Sequence, residues 1–284
     1  VLEVLIMKPE GWQAQRRIET DYDRAIRRLT ERSLQIVGVH DLLNPWDLIR
    51  RLERLAGTGS FERFALAISK KMVTQTFFDT AKTWRQAAQG GSRGRMIYEA
   101  LRNEMQGPVG NTVYALVERN ARIIKSMPID LAGQATQYIQ AETLNGKRHE
   151  QIAQELLVKF PQMAGSKAEL IARTEAAKSH TALIQARADR LGIAWYIWRT
   201  SRDGRVRDSH KDMDGVLCRF DTPPSPEILA GIRSTLGRYN AGEAPNCRCY
   251  PEPLIDIADI SWPHKVHYGG RIVTMSMNEF RKVA

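Results

Sequence analysis

Four residues late in the chain carry side chains that bind metals well: His210, Cys218, Cys247 and Cys249. Imidazole nitrogen and thiolate sulfur are the usual donors of structural zinc, and three cysteines with one histidine match a Cys3His set. Cys247 and Cys249 are separated by one residue, so on a strand, where side chains alternate, they would point to the same side. Zinc ligand pairs are commonly spaced two to four residues apart, and Cys-x-Cys is tighter. Two readings therefore stand side by side: a structural zinc site on these four residues, or free, partly buried thiols beside a histidine that holds a turn. A disulfide closing Cys247 on Cys249 would be strained. A histidine with aspartates close by in sequence could also serve as a general base or as the centre of a metal-assisted nuclease.

Around His210 the charges alternate. Arg199, Arg202, Arg205, Arg207, Lys211 and Arg219 are interleaved with Asp203, Asp208, Asp212 and Asp214. Such a run could contact phosphates, but the carboxylates would repel a nucleic-acid backbone. An ion-pair network holding a turn-rich domain is the preferred reading. The sequence contains no P-loop, Gly-rich dinucleotide loop or His-Glu-x-x-His pair. His40, His149, His180, His264 and His267 are scattered among polar or turn contexts and are expected to be structural or at the surface. Trp195 and Trp198 are expected in a core or interface.

Composition sets the frame for this chemistry. The chain has 284 residues, of which 43% are apolar, enough for a packed core in one large domain or two ordinary ones. Lys and Arg total 42 against 32 Asp and Glu, a net charge of +10 that favours polyanionic partners such as nucleic acid. The excess is spread along the chain, +6 over residues 1–160 and +4 over 161–284, whereas a dedicated DNA reader concentrates its charge. The three cysteines are too few and too odd in number for a secreted disulfide framework, so assembly in a reducing cytoplasm is expected. The apolar run at residues 1–7 is too short to span a bilayer and lacks the features of a signal peptide. No other stretch is long and apolar enough for a membrane helix, and no membrane partner is expected.

The elements that must position the candidate site follow from periodicity and punctuation. Ile18, Tyr22, Ala25, Ile26 and Leu29 fall at helical spacing. Asn44-Pro45 starts a helix with Leu48, Leu52 and Leu55 on one face, and Ser60 opens another through Val73. Glycines at 90–94 make a break. A further helix is predicted to end before Pro128, followed by shorter ones over 131–144 and 149–160. Ser166 and Glu169 form a capping box that would open a helix ending at Gly192. Beyond it the pattern changes: a strand over 193–200, an Asp-Gly turn at 203–204, a short helix capped at Asp208-Ser209, a strand over 216–220, a rigid turn at 222–226, and a last strand over 247–250. The fold expected is α+β: a helical domain over 1–164, a small mixed α/β motif domain over 165–255, and an extended C-terminal arm over 256–284 with a weak strand at 271–275.

The motif domain carries a resemblance. Arg199, Thr200, Asp203, Gly204, Arg205, Val206, Arg207 and His210, then Asp214-Gly215, Phe220, Pro223-Pro224 and Asn246-Cys247-Arg248-Cys249, resemble the phage Mu protein F-like head morphogenesis family of tailed bacteriophages. The likeness covers residues 165–253 and takes in Ile171-Ala172-Arg173-Thr174-Glu175. Cys218 is not part of the family pattern. The resemblance implies a minor head protein, present in few copies per head, that enters the procapsid through the portal and aids capsid assembly, DNA packaging or DNA delivery. Its implied partners are the portal protein, major capsid or scaffold proteins, and phage DNA bound without sequence preference; its implied place is the virion, after assembly in the host cytoplasm. It implies no catalytic residue, and gives the motif residues, Arg248 among them, a structural role. The alternative from another class is a metal-assisted nuclease or toxin-like enzyme centred on His210.

Overall fold

The computed structural model describes residues 9–37, 44–90 and 93–284. The apolar run at 1–7, His40 and the middle of the glycine-rich break lie outside the described residues. Among the described residues, the α-helices that precede the strands are α1 (Arg16–Val37), α2 (Pro45–Ala56), α3 (Gly59–Gly90), α4 (Gly94–Ala100), α5 (Pro108–Leu144) and α6 (His149–Arg190). The α1 periodicity is that of a helix with one buried stripe, since Ile18, Tyr22, Ile26 and Leu29 are all buried. Asn44 caps α2 as expected; its side-chain oxygen accepts the Trp46 backbone N–H at 3.0 Å, with Pro45 in the first turn.

Two expected helix boundaries are absent, for one physical reason. α5 runs straight through Pro128, and α6 through Pro161 and the Ser166–Glu169 box. Ile124, Met127, Leu131 and Ala135 are buried along α5, as are Phe160, Ala164, Ala168 and Ala172 along α6. A proline removes one backbone hydrogen bond, but continuous packing of the stripe on either side carries the helix across it.

The chain forms two compact units that interleave in sequence. One comprises residues 17–73 with 115–172; the other joins 74–114 and 173–284 to the segment ending at Arg16. The sequence boundary at 164/165 therefore falls inside α6. The first unit is helical, with buried polar ties at its centre: the Tyr22 hydroxyl donates to Asn120 Oδ1 at 3.1 Å, and the Ser69 hydroxyl to the Val117 carbonyl at 2.6 Å.

The second unit holds the sheet. Its elements are β1 (Trp195–Arg199), α7 (Asp208–Lys211), β2 (Leu217–Arg219), α8 (Pro226–Leu229), β3 (Tyr250–Pro253), β4 (His264–Tyr268), β5 (Arg271–Met275) and α9 (Met277–Phe280). The strand order is β3-β1-β2-β4-β5, with β2 and β4 parallel and the other neighbours antiparallel. Strand alternation splits β1 between two cores. Tyr196 and Trp198 join Trp84, Ile184 and Ala188, while Trp195 and Ile197 join Val266, Met275 and Phe280. The C-terminal segment, expected as an extended arm with one weak strand, thus supplies two strands that extend the sheet at one edge and a capped helix whose Phe280 packs with Trp195 and Ile197. Its second strand was hidden because His264-Lys265-Val266-His267-Tyr268 has a single buried apolar position, Val266.

On the other face, α6 is anchored by Arg187, which is 2% exposed. Its guanidinium makes paired bonds to Glu104 at 2.8 and 2.9 Å, donates to Thr80 Oγ1 at 2.6 Å and to the Phe77 carbonyl at 3.2 Å, and lies over the Phe77 ring.

Candidate functional site

His210 lies in the last turn of α7, the short helix that follows the Arg-rich turn, and its ring is buried against Trp198 of β1 in an edge-on contact of 5.5 Å. Asp208 is the first residue of that helix rather than its cap, which is Arg207. Cys247 and Cys249 approach His210 from a loop, not from the expected strand, since pairing with β1 begins only at Tyr250. Both sulfurs nevertheless reach the same nitrogen, His210 Nδ1, at 3.4 Å each. All three side chains are buried, and their donor atoms lie within 4.8 Å of one another.

Cys218 is not in the group. It sits on the same sheet face but opposite Tyr196, two residues along β1 from Trp198, a displacement of about 7 Å. Burial pushes its thiol well above the ordinary range, and its sulfur lies 3.7 Å from the Val216 carbonyl. The expected four-residue cluster is therefore three residues and one separate core thiol.

Two residues that sequence reasoning did not single out complete the surroundings. The Tyr239 hydroxyl lies 2.9 Å from His210 Nε2 and 2.7 and 2.6 Å from the two carboxylate oxygens of Glu227. The phenol has one proton, and the carboxylate can only accept, so that proton goes to Glu227. Tyr239 must then accept from His210 Nε2–H, which in the neutral imidazole leaves the Nδ1 lone pair facing the sulfurs. Burial and the Glu227 carboxylate both hold the Tyr239 hydroxyl above its usual range. Burial acts to raise the Glu227 carboxyl, but the hydrogen bond from Tyr239 and the nearby Arg207 bring it below its usual value. The thiols split. The hydrogen bond from Cys249 is the largest influence on Cys247 and, against burial, draws it down, while the same bond and burial push Cys249 up. Glu227 follows Pro226, which starts a short buried turn, and that was the only sequence hint of it; Tyr239 lay in a stretch with no periodicity to read.

The loop bearing the cysteines is fixed from several sides. Asn246 adopts a left-handed conformation at φ 58°, which asparagine tolerates, and its N–H donates to Thr174 Oγ1 of α6 at 3.1 Å. Arg173 donates to the Asn246 side-chain oxygen at 3.3 Å. Arg207 donates to the Pro245 carbonyl at 2.8 Å. Gly242, at φ +91°, passes so close to α6 that an added Cβ would stand 2.6 Å from Thr181 Oγ1 and 2.8 Å from the Cys249 carbonyl.

The Arg and Asp residues of the motif pair as a network, with some partners outside the run. Arg248 reaches Asp203 at 3.4 Å, and Asp203 also accepts the Arg205 N–H at 3.0 Å across the Asp203-Gly204 turn. Asp214 accepts the Thr200 N–H at 2.8 Å and faces Arg202 at 3.8 Å. Gly215, at φ +84°, returns the chain to β1 through a 2.8 Å bond to the Trp198 carbonyl, and its own carbonyl lies 2.7 Å from His264 Nε2. Arg199 pairs with Glu252 on β3. Above the His–Cys cluster is a cavity of about 200 Å³ whose wall includes His210, Cys247, Cys249, Arg205, Arg207 and Arg248. The arrangement can hold a thiophilic cation below and anionic or polar oxygen above.

Residues 134–251 match the family model described as Phage Mu protein F like protein, a span that includes His210, both clustered cysteines, Tyr239 and Glu227. The resemblance read from the motif is borne out over that span. An uncharacterized protein of Haemophilus influenzae is 28% identical over 144 residues, which is 51% of this chain and 30% of that relative. This chain therefore matches under a third of that relative's length. No solved structure matches the chain. No helix among the described residues is long and apolar enough to cross a membrane.

Proposed function

We propose that this chain is a minor head protein of a tailed bacteriophage, carried in few copies, that enters the procapsid with the portal and aids head assembly and the packaging or delivery of DNA. The observation that carries this reading is that the family match at 134–251 takes in the motif-bearing part of the sheet unit, from residue 173 onward. Inside that span the motif residues are spent on turns and ion pairs, as in Asp203–Arg248 and Asp214–Thr200, which suits a scaffold for docking. Portal, major capsid or scaffold proteins are the partners proposed. Phage DNA is a further one, because a net charge of +10 spread over the chain suits loose contact with a phosphate backbone. The proposed place of the protein is inside the virion or at the portal vertex.

The test is a reconstruction of intact heads with and without the chain. Density at the portal vertex or inside the shell, lost on deletion, supports the proposal; finding the chain on the outer shell as a decoration overturns it. Binding to duplex DNA should weaken steeply as salt rises, and a flat response between low and physiological salt would remove DNA from the partners.

A second reading rests on the arginine-walled cavity beside His210: metal-assisted cleavage of a phosphodiester. A plasmid-nicking assay separates the two. A well-folded His210→Ala protein that loses a nicking activity favours the enzyme, and wild-type protein that nicks nothing favours the head-protein role.

A further inference from the structure

We propose that His210, Cys247 and Cys249 form a zinc site with three protein ligands, whose fourth position opens onto the cavity walled by Arg205, Arg207 and Arg248. This inference is independent of the head-protein role, and Cys218 has no part in it.

The distances fit the metal. Zinc bonds of about 2.3 Å to sulfur and about 2.0 Å to nitrogen at tetrahedral angles place nitrogen about 3.5 Å from sulfur and the sulfurs about 3.8 Å apart. Here both sulfurs lie 3.4 Å from one imidazole nitrogen, and the three donor atoms fall within 4.8 Å. The orientation fits as well. Tyr239 gives its proton to Glu227 and takes that of Nε2, so Nδ1 presents its lone pair to the space between the thiols. A ligating histidine whose other nitrogen is fixed through a chain ending on a carboxylate is the usual outer shell of a zinc site. The cavity side completes the argument. No fourth His, Cys, Asp or Glu among the described residues joins the group, whereas the cavity shares His210, Cys247 and Cys249 in its wall. Three protein ligands with a water or anion in the fourth place is the arrangement of zinc sites that stay open. The flanking guanidiniums favour an anion there.

The experiment uses the full chain, purified under reductant and incubated with excess zinc or cobalt(II), then desalted. About one equivalent of zinc per chain is expected, falling at least tenfold in Cys247→Ser, Cys249→Ser and His210→Ala and unchanged in Cys218→Ser. Less than a tenth of an equivalent in the wild type, or undiminished metal in the ligand variants, overturns the site. Because a ligand variant could fail to fold, the cobalt spectrum of the wild type supplies a second reading: thiolate-to-cobalt charge transfer with four-coordinate ligand-field bands is expected, and its absence overturns the proposal. Azide should move the ligand-field bands; bands that stay put at saturating azide overturn the open fourth position. Tyr239→Phe, which keeps the ring but removes the acceptor for Nε2–H, should weaken zinc about 10- to 100-fold, and equal affinity would show that the Tyr239–Glu227 chain does not orient the ligand.

Discussion

Removing the Arg187 guanidinium should destabilise the sheet-bearing unit by about 3–5 kcal/mol, the usual cost of breaking a buried ion pair from one side. Arg187 and Glu104 are 2% and 5% exposed, and their paired bonds are 2.8 and 2.9 Å long. In Arg187→Met the aliphatic volume is largely kept, so packing loss is small and the main effect is a Glu104 carboxylate left in the interior without its counter-charge. Thr80 and the Phe77 carbonyl lose a donor as well. The reasoning makes a sharper claim than simple loss: if the stranded charge is the cause, Arg187→Met with Glu104→Leu should recover to within about 1–2 kcal/mol of wild type, since apolar replacement of a whole buried pair is often neutral. Urea unfolding read at the midpoint, with the slope unchanged, measures both. A single variant that loses under about 1 kcal/mol refutes the buried-pair account. A double variant as unstable as the single refutes the stranded-charge account, and would mean that the bond geometry itself holds α6.

Three further outcomes follow from the same structure. Gly242→Ala combines a left-handed backbone with contacts of 2.6 and 2.8 Å to Thr181 Oγ1 and the Cys249 carbonyl, so it should cost about 2–4 kcal/mol in urea unfolding and a loss under about 0.5 kcal/mol would refute the close approach. Burial, aided by the charge of Arg187, lowers the His180 pKa to about 4 from the ordinary 6.5. The unfolded chain therefore binds the extra proton first: the His180 contribution is complete above about pH 6.5 and is lost as pH falls toward 4, by about 3 kcal/mol, so His180→Gln should flatten the wild-type slope in that window. Asp214→Ala should cost about 1–2 kcal/mol by orphaning the Thr200 N–H, while Asp214→Asn, which keeps an acceptor, should cost less; equal losses would make the Arg202 charge, not the 2.8 Å hydrogen bond, the operative contact.

Where local chemistry dominates, the sequence was readable. Asn44-Pro45 could only be a helix start, and the aromatic, branched run around Tyr196 and Trp198 a buried strand. The breaks expected before Pro128 and after Phe160 are absent because Pro128 and Pro161 are local signals, whereas the stripes that override them inside α5 and α6 are tertiary. At the candidate site, three of the four metal-type residues come together. The strand argument for the two cysteines did not supply the reason, since they lie in a loop held by Asn246, Gly242 and α6. Tyr239 and Glu227 could not be found by spacing, because their relation to His210 exists only once the loop after α8 folds back over α7.

That fold-back bears on what the motif is for. Arg207 tethers Pro245, Arg248 tethers Asp203, and His210 meets both cysteines, so four separate contacts join the turn around α7 to the loop before β3. A loop pair that is stapled this way has little freedom left to open over a substrate, yet it keeps an arginine-walled cavity of about 200 Å³ in a fixed shape. Rigidity with a persistent cationic recess suits a surface that presents one constant face to a partner. If the staples serve docking, a variant that cuts one of them, Arg207→Ala, should lower head incorporation while plasmid nicking stays at the wild-type level. Full incorporation with altered nicking would assign the recess to chemistry instead.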